Sequence, residues 1–357
     1  MQELLNSEDI EYVLVADRVD PDNSIKPWQP PEGRLLVAPC IKITSALLWQ
    51  KGLVRLVLRH DIDAVIFLGN ANFASTWVAA ALSRLRQKRV LFWTHGWIRD
   101  ESGIKGAIRN LFYRLAHGLL LYGHKAKTIG VRNGFDGDSL YIVYNSMDLQ
   151  TQRDIRAQVT HSRLKHIRKE CFPNSSAPVL VCTGRLTKSK DLGLLLKAMA
   201  LLQAQEFETC LLLVGEGPER APLAQMANDL RLTVHFYGAC YDEKLLAELI
   251  MSANLTVSPG QVGLTAMHSL AYGTPVITHD DPAHQMPEWE AIIPGKTGGL
   301  FKRGDALDLA ATIRKWCANP WPDDDVRSQC MAVIEQHYNP QFQQQVINRA
   351  VAGLPAD

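Results

Sequence analysis

The sequence predicts an α/β protein with two domains, and three observations lead to that prediction. Short apolar runs that look like buried parallel strands alternate with segments of helical period along the 357 residues. Hydrophobic residues make up 46% of the chain and charged residues 21%, which is an ordinary globular composition. The chain is also longer than one domain usually needs. We therefore expect parallel sheets that are covered by helices on both faces.

The first half of the chain contains six apolar runs of strand length, and helical segments lie between them. The predicted strands are Tyr12–Ala16, Leu35–Ala38, Ala64–Leu68, Val90–Trp93, Gly118–Leu121 and Tyr141–Val143. Helical periods run over Ala46–Arg59 and Thr76–Arg86. A third helical segment keeps its apolar residues on one face over four turns, which predicts an amphipathic helix. These residues are Ile104, Ile108, Leu111, Phe112, Leu115 and Leu119. The segment Met1–Asn6 resembles the end of a helix, so we expect the chain to start late or to lack a first βα unit.

The second half repeats the alternation after a turn-rich stretch at Phe172–Pro178. Its predicted strands are Val179–Cys182, Cys210–Val214, Val234–Tyr237, Leu255–Val257 and Val276–Ile277. Helices are expected between them and in three tails that start near Asp305, Asp323 and Pro340. We therefore predict an N-terminal domain over 1–170 and a C-terminal domain over 171–336. Residues 337–357 are expected to form a helix that packs back toward the N-terminal domain.

Charge and cysteine content limit the classes of function. The formal net charge is +1, yet the region from Arg84 to Arg132 carries eleven Lys or Arg and two acidic residues. This basic region is either a solvated face or a surface for anionic lipid or a phosphate-bearing substrate. Seven scattered cysteines without CxxC or Cys/His spacing predict no metal site and fit a reducing cytosol. No apolar run reaches membrane-spanning length and no signal pattern starts the chain, which predicts a soluble or peripheral protein.

The most informative segment is Ser258–Thr278, which we interpret as strand end, glycine turn, short helix, glycine stop and buried strand. Gly260 and Gly263 allow the backbone to approach a ligand closely, and a helix start offers N–H groups to an anion. His268 lies within the predicted helix. The alternative is a βαβ crossover that binds nothing.

A second segment places two cations around a strand-to-helix turn. Gly184 and Arg185 follow the strand Val179–Cys182, and Lys190 stands just before the next helix. An arginine that binds two oxygens and a lysine that acts as a point charge would suit a diphosphate. The alternative is a pair of surface cations near a helix cap.

Three further segments are candidates for the same site. His95 precedes a glycine at the end of a buried strand, Gly215 and Gly217 form a turn before a helix, and Glu290 stands near a glycine-rich turn. Each has a structural alternative as a hydrogen-bonding, turn or cap residue. The motifs of α/β-hydrolases, P-loop proteins and zinc proteases are absent from the sequence.

Together these residues resemble the retaining family 4 glycosyltransferases of the GT-B fold, the glycosyl transferases group 1 type. The telling pieces are Gly184-Arg185-Leu186 with Lys190, Val214–Pro218, and Gly263-Leu264 leading to Ala271–Ile277, with Thr297-Gly298 and Asn145-x-x-Asp148 in support. The resemblance implies two Rossmann-like domains whose parallel sheets face each other across a cleft, with the N-terminal domain on the acceptor side and the C-terminal domain binding the nucleotide sugar. It also implies sugar transfer from a nucleotide-sugar donor with retention at the anomeric carbon, without a metal and without a cofactor.

The resemblance also implies roles for individual residues. Arg185 and Lys190 would neutralise the donor diphosphate, and His95 would lie near the donor sugar. Glu290 would lie near the nucleotide or sugar. N–H groups from Val262 through Gly263 and Leu264 to Thr265 would help to hold the diphosphate. The family commonly has Glu-x7-Glu where this chain has Gly260 and His268; His268 can still hydrogen-bond ribose hydroxyls, whereas Gly260 cannot replace a carboxylate.

We therefore expect a glycosyltransferase of cell-surface polysaccharide or glycolipid assembly. Its acceptor would be a glycan or a lipid-linked glycan, and it would work in the cytoplasm at the inner face of the membrane. The basic region would give it a peripheral membrane contact, and nucleic acid is not an expected partner. Two alternatives are a non-catalytic GT-B protein that binds nucleotide or glycan, and a GT-B nucleotide-sugar epimerase.

Overall fold

The computed structural model describes residues 2–17, 30–31, 33–318 and 323–356. The chain divides into two compact units: a first unit of Met1–Asn145 with Pro340–Asp357, and a second unit of Ser146–Asn339. The prediction of an α/β protein with parallel sheets in two units is confirmed.

The first unit is built on a parallel sheet. Its strands are β1 (Leu14–Ala16), β2 (Leu35–Val37), β3 (Cys40–Lys42), β4 (Leu48–Gln50), β5 (Ala64–Leu68), β6 (Arg89–Thr94), β7 (Gly118–Leu121) and β8 (Leu140–Ile142). Its first five helices are α1 (Gln2–Leu5), α2 (Leu53–Val57), α3 (Ala74–Leu85), α4 (Ile104–Tyr113) and α5 (His124–Arg132). The strands β5 to β8 form the sheet in chain order, β1 pairs with β2 in parallel, and β3 pairs with β4 antiparallel.

The helix predicted over Ala46–Arg59 is wrong, because two elements share that segment. β4 pairs with β3, and α2 begins only after Gly52, whose φ of +82° is a left-handed conformation that ends the strand. The helical period in the sequence therefore spanned a strand and a shorter helix.

Of the six apolar residues that predicted one amphipathic helix, four lie on α4; Phe112 is buried, but the other three face outward. The side chains concerned are Ile104, Ile108 and Leu111, which are 81%, 49% and 60% exposed. On the inward side, the Phe112 ring stacks on the Phe92 ring with 4.5 Å between centroids, and Trp97 Nε1 donates to Asn110 Oδ1 at 2.8 Å. Aromatic stacking and an amide hydrogen bond thus fix the orientation of α4, which the period of its apolar residues alone could not predict.

The second unit holds the larger sheet. Its strands are β9 (Val179–Thr183), β10 (Cys210–Val214), β11 (Thr233–Gly238), β12 (Leu255–Ser258), β13 (Val276–His279) and β14 (Gly298–Phe301). Its helices are α6 (Leu149–Gln158), α7 (His161–Cys171), α8 (Leu192–Gln203), α9 (Arg220–Asp229), α10 (Glu243–Met251), α11 (Leu264–Ala271), α12 (Ala306–Trp316) and α13 (Asp324–His337). All six strands are parallel, in the order β11-β10-β9-β12-β13-β14. β14 was not predicted.

Helices cover both faces of this sheet. Leu211 and Leu213 of β10 pack with α8 and α12 on one face, while Leu212 packs with Ile167 of α7 and Leu249 of α10 on the other. Because both faces are buried, the strands are continuously apolar rather than alternating.

The structure places α6 and α7 in the second unit, so the unit boundary falls at 145/146 rather than at 170/171. Arg168 Nη2 of α7 donates to Asn254 Oδ1 at 2.7 Å, and Arg156 Nη1 of α6 donates to the carbonyl of Ala271 at 2.7 Å. Arginine side chains make these contacts. Because α6 and α7 are polar in composition, the sequence did not indicate which unit they pack against.

The last helix, α14 (Pro340–Ala352), belongs to the first unit. Its Ile347 and Ala350 are fully buried with Leu91 and Leu120 of the parallel sheet, and Arg89 Nε donates to the carbonyl of Ala350 at 2.9 Å.

Candidate functional site

The candidate site lies where the strand order of the second unit reverses. β10 and β11 extend the sheet on one side of β9, whereas β12, β13 and β14 extend it on the other. Ligands of open parallel sheets bind beyond the carboxyl ends of the strands at such a switch point. Arg185 and Lys190 follow β9, and Gly260 follows β12.

A pocket opens at these strand ends, and four of the predicted site residues line it. They are Gly184, Arg185, Lys190 and Thr265. The other lining residues are Cys182, Thr183, Leu186, Leu192, Val257 and Ser258. Arg185 is exposed, whereas Lys190 is half-buried. The structure thus brings together the two cations that the sequence singled out.

Backbone hydrogen bonds join the loop after β9 to the loop after β12. The Gly260 N–H donates to the carbonyl of Lys190 at 3.0 Å, and the Gln261 N–H donates to that of Ser189 at 3.3 Å. Lys190 Nζ donates in return to the carbonyl of Gln261 at 3.0 Å. Burial lowers the pKa of the Lys190 ammonium, because the charged form loses hydration there. An anion beside this ammonium would restore that lost stabilisation.

Gly260 stands where no side chain fits. A Cβ at this position would lie 2.1 Å from the carbonyl oxygen of Ser189 and 2.8 Å from the carbonyl carbon of Lys190. A carboxylate side chain at Gly260 would therefore require the two loops to separate.

Gly215 and Gly217 let the loop after β10 pack against the loop after β9. A Cβ on Gly215 would lie 1.9 Å from the carbonyl oxygen of Gly184, and one on Gly217 would lie 2.2 Å from that of Leu186. The Gly184 N–H donates to the Val214 carbonyl at 2.9 Å. The structure thus shows these two glycines in close contact with the backbone that carries Arg185.

The start of α11 is held by a residue that the sequence did not single out. Gln285 is buried; its Oε1 accepts from the Val262 N–H at 2.8 Å, and its Nε2 donates to Thr278 Oγ1 at 2.8 Å. Thr278 Oγ1 in turn donates to the carbonyl of Ser258 at 2.9 Å. The Val262 N–H is therefore occupied. Nothing in a single sequence distinguishes such a glutamine from a loop residue.

The next N–H groups of this helix start remain open in the described part of the chain. For Gly263, Leu264 and Thr265, the structure shows no backbone acceptor among its described residues. Thr265 Oγ1 donates to the carbonyl of Thr183 at 3.3 Å, which ties α11 to the end of β9. A helix start with open N–H groups next to two cations is an arrangement suited to an anion.

His268 lies one turn beyond Thr265 on α11 and does not line the pocket. Its Nδ1 lies 3.3 Å from Glu243 Oε1, to which Tyr272 Oη also donates at 2.6 Å. Burial opposes ionisation of Glu243, but the contacts with His268 and Tyr272 outweigh it and lower the pKa of Glu243. This contact leaves Nε2 as the ring nitrogen of His268 that is directed away from Glu243.

Glu290 and His95 lie in different parts of the chain. Glu290 is half-buried in a short 3-10 helix, Pro287–Ala291, that packs against α11. His95 is exposed directly after β6 in the first unit, and its ring centroid is 4.6 Å from that of Tyr122. The following Gly96 has φ of +63°, which places the histidine at a sharp turn.

The described ranges contain no group of three or more His, Cys, Asp or Glu side chains that could hold a metal ion. They also contain no helix that is both long and apolar enough to cross a bilayer.

Fold and site together define an α/β protein with a candidate anion site at the switch point of its second sheet. Residues 165–336, from α7 to α13, match the profile of the family described as Glycosyl transferases group 1. The match lies within the second unit and spans just under half of the chain, and it confirms the resemblance to this family at that level. Membership of the retaining family 4 stays a prediction.

Curated relatives support the same family. The chain is 36% identical over 102 residues to a GDP-mannose-dependent alpha-(1-6)-phosphatidylinositol dimannoside mannosyltransferase of Mycobacterium tuberculosis, but this match spans 28% of the chain and about a quarter (26%) of that relative. A monomannoside mannosyltransferase of Mycolicibacterium smegmatis is 26% identical over 80% of the chain and 73% of its own length. An alpha-monoglucosyldiacylglycerol synthase of Streptococcus pneumoniae is 28% identical over 44% of the chain and 35% of its own length.

Solved structures confirm the GT-B fold. Anabaena Alr3699/HepE, solved in complex with UDP, superposes with a TM-score of 0.67 at 19% identity, over 85% of this chain and 82% of that one. A sucrose-phosphate synthase of Thermosynechococcus elongatus has a TM-score of 0.63 at 19% identity, over 96% and 88% of the two chains.

Proposed function

We propose that the protein is a glycosyltransferase that moves a sugar from a nucleoside-diphosphate sugar to a glycan or lipid-linked acceptor. One observation carries the proposal: Arg185 and Lys190 line a single pocket at the switch point of a Glycosyl transferases group 1 domain. Two cations at a helix start that offers N–H groups suit a diphosphate better than any uncharged ligand.

In the proposed reaction, the bond between the anomeric carbon and the diphosphate oxygen breaks, and its electron pair leaves with the nucleoside diphosphate. The acceptor hydroxyl oxygen forms the new bond to the anomeric carbon, and its proton passes to the departing phosphate oxygen. Arg185 and Lys190 stabilise the negative charge that develops on the leaving group. Retention at the anomeric carbon, and transfer without metal or cofactor, form part of the proposal.

The remaining site residues are proposed to hold the donor. The N–H groups of Gly263, Leu264 and Thr265 would contact the diphosphate. His268, oriented by Glu243, would hydrogen-bond ribose hydroxyls, and Glu290 would contact the nucleotide or sugar. His95 of the first unit is proposed to act near the donor sugar.

The first unit, which is proposed to bind the acceptor, is also proposed to face a membrane. The basic region from Arg84 to Arg132 carries eleven Lys or Arg against two acidic residues, and such a surface attracts lipid-linked phosphate. The names of the mycobacterial and pneumococcal relatives concern lipid substrates, which supports a glycolipid or lipid-linked glycan as acceptor. We accordingly propose a cytoplasmic protein at the inner face of the membrane, in cell-surface polysaccharide or glycolipid assembly.

A second candidate is a GT-B protein that binds nucleotide without transfer. The observation in its favour is Gly260, where the backbone of Ser189 fills the space that a carboxylate would need.

A panel of nucleotide sugars tests both candidates on the full chain. The transferase should slowly hydrolyse one donor and release its nucleoside diphosphate, and should turn over faster with a lipid-linked acceptor. Thermal stabilisation by a nucleoside diphosphate, with no turnover of any donor, would establish the binding protein instead. Conversion of a donor into its epimer would identify a nucleotide-sugar epimerase.

A further inference from the structure

Helix α4 presents an apolar face to solvent, although it belongs to a unit with its own packed core. The outward residues fall at positions i, i+3, i+4 and i+7 of one helix face, and they are Ile104, Ala107, Ile108 and Leu111. Isolated exposed apolar residues are ordinary, but a whole helix face of them is not.

Hydrogen bonds on the other side of α4 fix this orientation. Asn110 Nδ2 donates to Asn133 Oδ1 at 3.2 Å, and the Tyr113 hydroxyl lies 3.0 Å from Thr94 Oγ1. Gly106 leaves room for the carbonyl of Glu101, which a Cβ would approach to 2.5 Å. Turning the helix to bury its apolar face would break these contacts and expose Phe112. The packing of the first unit therefore holds the apolar face of α4 outward.

Basic residues flank the apolar face. Lys105 and Arg114 are exposed on α4 and directly after it, and Arg99 is exposed on the preceding loop. Both acidic residues of the region pair with its own arginines, Glu101 with Arg109 at 3.1 Å and Asp100 with Arg132 at 3.5 Å. The surface around α4 thus keeps a positive excess.

We propose that α4 docks the protein onto an anionic lipid bilayer, with Ile104, Ile108 and Leu111 inserted among the acyl chains. The flanking cations would lie at the level of the lipid phosphates, the usual arrangement of an interfacial helix. The inference deepens the proposed function and rests on it for the membrane-bound acceptor, but the binding itself needs neither donor nor acceptor.

Charge complementarity favours a lipid surface over a second copy of the chain. A symmetric pair of copies would bring two basic regions face to face, and like charges would repel. An anionic bilayer offers apolar depth for the side chains and negative charge for the cations in the same place.

Vesicle sedimentation with the full chain tests the proposal. The vesicles are phosphatidylcholine alone and phosphatidylcholine with phosphatidylglycerol, without nucleotide. We expect binding to the anionic vesicles that weakens as salt rises. Ile104→Ser and Leu111→Ser should each lower the partition coefficient about tenfold or more, since each removes a large apolar side chain from the bilayer.

Leu307→Ser is the matched control, because Leu307 is an exposed leucine on α12 of the second unit, 64% accessible to solvent. Its binding to vesicles should equal that of the wild type. Equal losses in Leu111→Ser and Leu307→Ser, or no binding by the wild type, would overturn the proposal. So would a dimer in gel filtration that Ile108→Ser converts to monomer.

Donor hydrolysis in vesicle-free solution separates this inference from the proposed function. Leu111→Ser should hydrolyse donor at the wild-type rate, because α4 holds none of the proposed catalytic residues. Vesicle binding without turnover of any donor would refute the transferase and leave the docking surface standing.

Discussion

The Lys190 ammonium lies 3.0 Å from the carbonyl oxygen of Gln261, and this contact ties a cation from the loop after β9 to the loop after β12. One carbonyl satisfies one of the three N–H donors of a lysine, so the others remain for a ligand. The pocket that Lys190 lines also contains Arg185. The cationic part of the site is thus held in place by the backbone of the neighbouring loop.

Lys190→Ala should weaken the binding of a nucleoside diphosphate by about ten- to hundredfold, because a hydrogen bond to a charged group is worth about 1.5–3 kcal/mol. Isothermal titration calorimetry with a panel of nucleoside diphosphates measures the change. Lys188→Ala is the matched control, since Lys188 is exposed on the same turn and does not line the pocket. If the wild type and Lys190→Ala bind the nucleoside diphosphate with equal affinity, Lys190 does not contact the diphosphate.

Gly260→Ala should destabilise the second unit by about 1–3 kcal/mol, the usual cost of forcing a methyl group into a packed site. The new Cβ would lie 2.1 Å from a backbone oxygen that cannot rotate away. Urea unfolding measures the loss. Gly193→Ala is the comparison, because its Cβ would meet only Met226 Sδ at 3.8 Å in helix α8. If the two variants unfold at the same urea concentration, the loops do not pack as described.

His268→Ala should lower nucleotide affinity about two- to tenfold while the fold stays intact, because a neutral hydrogen bond contributes about 0.5–1.5 kcal/mol. Calorimetry and a thermal melt together separate the two effects. His284→Ala provides a control, since His284 is an exposed histidine paired with Asp281 at 2.7 Å. The ribose assignment fails if both alanine variants bind nucleotide as the wild type does.

Glu335→Gln should lower the free energy of unfolding near neutral pH by about 1–2 kcal/mol, a value reduced for the solvent exposure of the group. Hydrogen bonds from Arg153 and Arg156 lower the pKa of Glu335 from 4.5 to about 2. The folded carboxyl therefore binds its proton more weakly than the unfolded one. Its stabilisation is complete above about pH 4.5 and is lost as the pH falls toward 2.

Urea midpoints of the wild type and Glu335→Gln at pH 7, 4 and 3 check this, because other carboxyl groups titrate alike in both proteins. The difference between the two should shrink steadily with acidification. A difference that stays constant over this range would show that the arginine pairs do not stabilise the fold.

Much of the site could be predicted because it is encoded locally. A buried strand followed by Gly184 and Arg185 marks a carboxyl strand end, and parallel strands bring such ends to one edge. That rule alone was sufficient to predict that Arg185 and Lys190 lie at the same edge of the sheet. Gln285 escaped prediction because its role depends on Val262 and Thr278, which reach it only in the folded sheet.

The errors have a common physical origin in tertiary contacts. The period of α4 correctly indicated an amphipathic helix, but the partners of Asn110 and Tyr113 decided which side packs. The prediction of a helix over Ala46–Arg59 was wrong because the first part of this segment pairs with β3 as a strand. In both cases residues distant in sequence outweighed a local pattern.

Because α14 is the last helix of the chain but packs in the first unit, it determines when the core of that unit can be completed during synthesis. Residues 146–339 form the second unit without interruption, whereas the first unit takes up Ile347 and Ala350 only when Pro340–Asp357 has emerged. The part of the chain made first is therefore the part whose core closes last. Until then Leu91 and Leu120 lack their α14 neighbours, so the nascent chain exposes apolar surface that the finished chain buries.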